Sequence, residues 1–488
     1  MTHATAADWA SPYSTPNARI AGRIDNRALT DGRAFDILNP ANEAVIGQGL
    51  AASADQVAAA LASSARAFDS WRFTPAQQRS AILHRTAAIL RDKAQELART
   101  LTLEQGKPLA QALVEIQLSA EALDWFAGAA LRIDGRVMPG RTPGARQITQ
   151  PEPIGPVAAL TPWNFPALLA VRKIGPALAA GCTVVLKPAE ETPAITVALA
   201  DAFAMAALPA GVLNLVFGDA AEISSALIAS PVIRKVSFTG SVPVGKLLAE
   251  QAGRHMKPCT LELGGHAPVL VMDDTDPIKA AATSVLGKSR NSGQVCTSPT
   301  RFFVQDAVHD RFLTAFADGL AALKVGDGTE PGVDMGPLAN ARRITAMEDL
   351  VADAVQRGAT LVTGGSRIGN RGYLFQPTVL AGVPDDARIM STEPFGPIAI
   401  VNRVATLDEA LAKANSVPVG LAGYAFTDSH PRAVEISQRL EVGMLAINNF
   451  AVSQIEAPFG GVKDSGYGYE GGPEGLQHYL HYKLVHHA

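Results

Sequence analysis

The sequence predicts an α/β fold built around a parallel sheet, and three observations carry that prediction. Short apolar runs at residues 157–161, 183–187, 212–217 and 235–238 are each followed by a helix-like segment, at about 167–180, 194–207, 221–229 and 244–252. Strand, crossover helix, strand, repeated, builds parallel strands with a nucleotide-sized crevice at their carboxyl edge. The chain's 488 residues correspond to two or three domains at roughly 150 residues each, enough to bury a sizeable core. The composition, 47% hydrophobic and 18% charged with 43 glycines and 32 prolines, is that of an ordinary globular protein. It excludes disordered, collagen-like and disulfide-rich secreted chains.

Taken in order, residues 1–17 are polar with scattered alanines and prolines and few arginines. No basic region precedes an apolar core, so neither a secretory leader nor a transit peptide is expected. Residues 75–101 carry a helical stripe of Ile82, Leu83, Ile89, Leu90, Leu97 and Leu101, and a second helical run follows Gly106-Lys107-Pro108 over 109–130. Residues 132–156 change character, with Gly and Pro between short β-like pieces (Val137-Met138 and Gln147-Ile148-Thr149), and read as an excursion from the core. After Gly264-Gly265 a second α/β block runs to about Asn449. A glycine-rich loop and a short strand-like end at 482–485 close the chain. No run of 18 apolar residues predicts a membrane span.

Charge and cysteine usage narrow the function. The net charge of −4, without a basic run, makes nucleic acid and anionic membrane poor partners. Cys182, Cys259 and Cys296 are an odd number of widely spaced thiols, with no CxxC pair and no HExxH elsewhere. That pattern points to a reducing, cytoplasmic setting and to no metal site.

Four motifs could carry chemistry. Cys296, in Asn291-Ser-Gly-Gln-Val-Cys-Thr-Ser298, is flanked by glycine and small polar residues that leave its sulfur approachable. It is either a nucleophile or, as read for Cys182 and Cys259, a structural thiol. Glu262, in Glu-Leu-Gly-Gly265, ends an apolar stretch and is either a general base with a raised pKa or an ordinary loop carboxylate. Thr161-Pro-Trp-Asn-Phe-Pro166 fixes the Asn164 amide at a strand end, as an oxyanion donor or as part of a rigid core turn. Phe238-Thr-Gly-Ser-Val-Pro-Val-Gly245 opens a helix after a strand. Its GxxxxG spacing is a weak phosphate signal and lacks the Lys-Ser/Thr of an ATP-binding loop.

These four pieces, in this order, resemble the aldehyde dehydrogenase superfamily, and the resemblance runs from Ile37-Leu-Asn-Pro40 to Lys463-Asp-Ser-Gly466. Glu104-Gln-Gly-Lys107, Lys187-Pro-Ala-Glu190, Glu393-Pro-Phe-Gly-Pro397 and Pro458-Phe-Gly-Gly461 extend it. The resemblance implies a Rossmann-like NAD-binding domain (1–131 and 154–262), an α/β catalytic domain (263–455) and a small β oligomerisation flap with the C-terminal segment (132–153 and 456–488). It implies a homodimer or homotetramer formed by strand addition. It also implies that Cys296 attacks a small aldehyde, that Asn164 and the Cys296 N–H hold the oxyanion, and that hydride passes to a nicotinamide. Glu262 then activates the water that hydrolyses the thioester, and Lys173 joins the catalytic set. Thr161, Pro162, Trp163, Lys187, Glu190, Gly240, Ser241, Gly245, Leu263, Glu393 and Phe395 fall at its cofactor positions. A carboxylate at Glu190 would accept both ribose hydroxyls and repel a 2′-phosphate, favouring NAD while leaving NADP possible.

Within the superfamily, the likeness is nearest to succinic and α-ketoglutaric semialdehyde dehydrogenases. Arg172, Arg290 and Ser453 stand where those enzymes clamp the substrate's far carboxylate, with bonds that suit guanidinium forks. The alternative is that either arginine is an internal ion-pair partner. His266 and Ser298-Pro-Thr-Arg301 lean toward the α-ketoglutaric branch, and Ser298, replacing a second cysteine, predicts no redox disulfide at Cys296. Tyr469-Glu470 departs from the usual Arg-Glu and has no functional reading from sequence. The rivals are a general dehydrogenase for uncharged aldehydes, a CoA-acylating relative, a catalytically silent relative and a cysteine hydrolase.

Overall fold

A computed structural model describes residues 12–14 and 18–487. Residues 1–11 and 15–17, on which the reading of the amino terminus mostly rests, lie outside the described residues. Two large sheets organise the molecule. The first has eight strands in the order Gly466–Tyr467, Cys259–Leu263, Lys235–Gly240, Val157–Leu160, Val184–Lys187, Leu213–Leu215, Arg23–Ile24 and Arg27–Ala28. Its central five strands are parallel, and the flanking short ones pair antiparallel. The strand Val157–Leu160 has its two later neighbours on opposite sides, Val184–Lys187 and Lys235–Gly240. The winding direction therefore reverses beside it, and a crevice opens at the carboxyl ends there.

The second sheet has seven strands, ordered Thr360–Thr363, Thr378–Ala381, Ile398–Val404, Arg301–Gln305, Pro268–Val271, Ala422–Phe426 and Met444–Ile447, all parallel except the first. Both sheets are buried on both faces, as the near-continuous burial of Val157–Leu160, Val184–Lys187 and Pro268–Val271 records.

Three departures from the sequence expectation have local causes. The stripe over 75–101 is two helices, Ala76–Asp92 and Ala94–Gln105. Lys93, at φ −99° and ψ 14°, breaks the helical geometry while the flanking i→i+4 bonds continue, so the stripe keeps its phase through a kink. The expected strand at 482–485 is longer, Leu480–His487, because it pairs along its whole length with Arg146–Pro153. That strand in turn pairs with Arg136–Pro139, making a three-stranded sheet of the excursion and the carboxyl terminus. The region before residue 52 holds the strands Arg19–Ala21, Arg33–Asn39 and Ala44–Ala51, whose mixed burial gave no clean alternation to read.

Candidate active site

Three adjacent parallel strands deliver the first half of the site. Leu160 ends one strand, and Pro162, Trp163 and Asn164 follow it into the cleft. The neighbouring strand ends in Thr239-Gly240, and Ser241 begins the next helix. The third strand carries Glu262 and Leu263. From the other sheet come Cys296, in the loop before Arg301–Gln305, and the segment holding Glu393 and Phe395. Together these residues line a cleft of about 460 Å³. Four motifs far apart in sequence therefore meet at the switch point.

The loop before Cys296 is strained. Asn291 and Ser292 have φ of 47° and 56°, and Phe395, opposite, has φ 45°, in the left-handed region that side chains disfavour. Hydrogen bonds hold this geometry. Gln294 Nε2 donates to Asn291 O and Pro337 O, and its Oε1 accepts from Ala339 N at 2.9 Å. Trp163 meets Phe395 edge-on at 5.5 Å. The half-buried Cys296 thiol is pushed up to about 12, first by burial, then by Glu393 and Glu262, against the pull of Arg172 and Arg290. The resting sulfur is thus a neutral thiol, more so than its sequence setting suggested.

Glu262 is buried, and among the described residues neither carboxylate oxygen has a hydrogen-bond partner. Burial, and secondarily Glu470, raises it well above the ordinary carboxylate value, with Lys173 and Arg172 opposing. An orphaned carboxyl beside a thiol can take a proton. Lys173 lies behind it, not on the cleft wall, with its Nζ bonded to Glu470 and, at 2.7 Å, to Thr239 Oγ1. Glu470, which had no role from sequence, is thereby half of a buried ion pair next to Glu262. Its neighbour Tyr469 is 41% exposed and stacks on His478. Asn164 Nδ2 donates to Gln294 O at 3.1 Å, one of two available N–H groups.

Arg172 is 2% exposed and makes no ion pair among the described residues. Its Nη2 donates to Ser453 Oγ at 2.8 Å and Ser453 O at 3.2 Å, and its guanidinium lies 4.6 Å from the Phe459 ring centre. Nε and Nη1 have no partner among the described residues. A buried, uncompensated cation is costly unless an anion joins it. Arg290 packs over Phe165 at 5.1 Å and likewise has no acidic partner among the described residues. The internal ion-pair alternative for both arginines is therefore not what the structure contains.

The cleft suits a dinucleotide. Ser241 begins a helix whose first N–H groups are uncapped by a side chain, and Gly240 leaves the backbone approachable beside it. Gly245 is required by packing, because a Cβ there would lie 2.4 Å from Leu263 Cδ1. The half-buried Glu393, pushed up to about 8 by burial, is a carboxyl on the cleft wall suited to sugar hydroxyls. Thr161 is buried behind the wall, where its N–H bonds Lys187 O at 3.1 Å. Glu190 is not a free carboxylate. Lys187 Nζ contacts both its oxygens at 2.8 and 2.9 Å, and Gly218 N–H donates to Oε1 at 3.0 Å. The lysine offsets the repulsion expected against a 2′-phosphate. His266 is a buried structural ring, with Nε2 2.8 Å from Ile389 O and a pKa held well below its ordinary value by burial.

Sequence reasoning missed Thr239, Gly264, Asn340, Arg342 and Arg343, which also line the cleft. Thr239 and Gly264 stand inside the quoted glycine motifs, and Arg342-Arg343 is a basic pair at the start of the helix Ala341–Gln356.

A family model described as "Aldehyde dehydrogenase family" matches residues 28–485. The chain is 50% identical over 452 residues, 93% of its length and 94% of the relative's, to a 4-(hydroxymethyl)benzenesulfonate dehydrogenase of Comamonas testosteroni. It is 42% identical over 455 residues, again 93% and 94%, to the NADP(+) succinate-semialdehyde dehydrogenase of Escherichia coli K12. Among solved structures, a succinate-semialdehyde dehydrogenase from Burkholderia pseudomallei superposes with a TM-score of 0.94 at 40% identity, covering 96% of this chain and 98% of that one. Among the described residues, no helix is long and apolar enough to cross a membrane.

Proposed function

The chain belongs to the aldehyde dehydrogenase family, and we propose that it oxidises a short aldehyde with an anionic far end, a semialdehyde, to the corresponding diacid with NAD(P). The observation that carries this reading is Arg172, a buried guanidinium with two donors unpaired among the described residues beside the Ser453 hydroxyl, its pKa lowered by burial against the pull of Glu470, Cys296 and Glu262. Such a group offers two unpaired donors to an anion and makes no ion pair among the described residues, although neither it nor Ser453 is among the residues lining the cleft.

When bound, the nicotinamide accepts the hydride that the aldehyde carbon gives up. The chain's own residues do the rest. In its ionised form Glu262 takes the Cys296 proton as the sulfur attacks the carbonyl carbon, and releases it to solvent before the hydrolysis step. The second Asn164 N–H and the Cys296 N–H donate to the oxygen that becomes negative. Once the thioester stands on Cys296, Glu262 draws a proton from the attacking water and the acid leaves. The Lys173–Glu470 pair lies near Glu262 and acts on its charge, Lys173 favouring the carboxylate and Glu470 opposing it. The intact base argues against CoA as acyl acceptor. The buried, neutral His266 argues against a cysteine hydrolase.

A second reading is specific: the anion is a sulfonate. It rests on the relative named for 4-(hydroxymethyl)benzenesulfonate, which shares half its residues with this chain. Cofactor use is NAD(P) without strong exclusion of NADP, since Lys187 screens Glu190. The unpaired cysteines fit a reducing compartment, the cytoplasm. The edges of the sheet formed by Arg136–Pro139, Arg146–Pro153 and Leu480–His487 support assembly by strand addition into a dimer or tetramer. The test of substrate class is Arg172→Met. Losing charge-assisted bonds worth about 1.5–3 kcal/mol should cut kcat/KM for the anionic aldehyde at least tenfold and leave butanal nearly unchanged. Equal losses for both substrates would overturn the reading.

A further inference from the structure

The turn that holds Asn164 is fastened from behind by a buried ion pair outside the cleft. Lys107 and Glu115 are both fully buried as side chains, with Lys107 Nζ 2.5 Å from Glu115 Oε2. The same ammonium donates to the backbone carbonyl of Asn164 at 2.7 Å and lies 3.9 Å from the ring centre of Phe165, the next residue. Asn291, on the nucleophile loop, donates to that carbonyl as well, at 3.0 Å. Asn164 O is thus a junction between the strand-end turn and the loop carrying Cys296.

Glu115 completes the frame with its other oxygen. Oε1 accepts the N–H of Ala167 at 3.0 Å and that of Leu168 at 3.3 Å. Those are free donors of the first turn of the helix Pro166–Ala180, whose N-cap, Phe165, offers no side-chain acceptor. The pair therefore fixes both ends of the short path from Asn164 to the helix bearing Arg172 and Lys173. A carboxylate and an ammonium without water are expensive to bury, and they persist where their hydrogen bonds are complete, as here. A hydrophobic pair of equal volume would fill the space but could not hold a carbonyl oxygen.

We infer that Lys107 and Glu115 are positioning residues for the oxyanion hole, with Lys107 setting the orientation of the Asn164 amide through its carbonyl. This rests on the reading of Asn164 as the oxyanion donor. Neither residue touches the cleft, so the effect must pass through Asn164. Removing the ammonium lets the turn relax. The amide then no longer points where charge develops, and the loss falls on turnover and not on cofactor binding.

The experiment is a double-mutant cycle of Lys107→Met and Asn164→Ala in the full-length enzyme. Readouts are kcat, KM, and NADH affinity from quenching of tryptophan fluorescence. Asn164→Ala alone should lower kcat about 10²-fold, the usual cost of one oxyanion donor. Lys107→Met alone should lower kcat by about tenfold to 10²-fold with NADH affinity unchanged, and by less than about threefold when Asn164 is already alanine, the non-additivity of residues acting as a unit. If Lys107→Met does not fold, Glu115→Gln keeps the shape and the Oε1 acceptor while removing the charge. It should show the same pattern more weakly. Equal losses in both backgrounds, or no loss in kcat, overturn the inference. A near-neutral Asn164→Ala would instead overturn the mechanism on which it rests.

Discussion

Individual side chains set the chemistry here through what they lack. Glu262 has no hydrogen-bond partner among the described residues, and burial raises its pKa well above the ordinary carboxylate value. Its substitution by Gln should leave a slowed burst of NADH and abolish steady turnover, because thioester hydrolysis needs a base to draw the proton from water; a stopped-flow trace distinguishes the two. The same site has a stability signature. Folding lifts Glu262 well above its ordinary value of 4.5, so the folded state binds this proton more tightly than the unfolded chain. Its contribution is fully present below that ordinary value and is lost as pH rises toward the folded pKa. Glu262→Gln should therefore raise Tm relative to the native protein by more at pH 8 than at pH 5. A pH-independent difference would mean that folding does not raise this pKa. Cys296 gives the complementary test. Arg172 is one of two cations holding the thiol down, so Arg172→Met should slow alkylation by iodoacetamide about threefold to tenfold at constant pH.

At the scale of elements, the site exists because loops from two sheets are locked against each other. Gly293, at φ +70°, is a tight contact between two loops of the second sheet, since a Cβ there would lie 2.1 Å from the carbonyl oxygen of Gly396. Gly293→Ala must push the Cys296 loop off the segment carrying Glu393 and Phe395. It should cost about 1–3 kcal/mol of stability and most of the activity, read by thermal melts and assay. Much of this was legible in sequence. The βα rhythm after residue 157 announces its strands because each is a short apolar run, as strands buried on both faces must be. The carboxyl-edge rule then places Asn164 and Gly240 together. What was not legible is what depends on distant pairing. The strands before residue 52 are too mixed in burial to alternate, and Leu480–His487 owes its length to Arg146–Pro153. Lys107 shows the same limit within the site. It stands in a quoted motif, yet its partner Glu115 and its target Asn164 O are visible only in three dimensions.

The whole molecule adds an assembly and a substrate. Arg136–Pro139 and Leu480–His487 are the edges of a small sheet that carries Val137, Tyr482 and Leu484 exposed at 68%, 54% and 62%. Exposed apolar edge strands invite pairing with another copy. The native protein should run as a dimer or tetramer by light scattering after size exclusion, and deletion of 480–488 should shift it to monomer; a native monomer would refute the assembly.

The central claim concerns the anion, and one comparison tests it directly. It is kcat/KM, by NADH or NADPH formation, for succinic semialdehyde, α-ketoglutaric semialdehyde and 4-formylbenzenesulfonate against uncharged pentanal. A preference of about 10²-fold or more for at least one of the anions is the predicted result, as hydrogen bonds to a buried charge require. The preferred anion then names the substrate branch. Equal or faster turnover of pentanal would contradict the account and leave Arg172 a structural cation in a general aldehyde dehydrogenase.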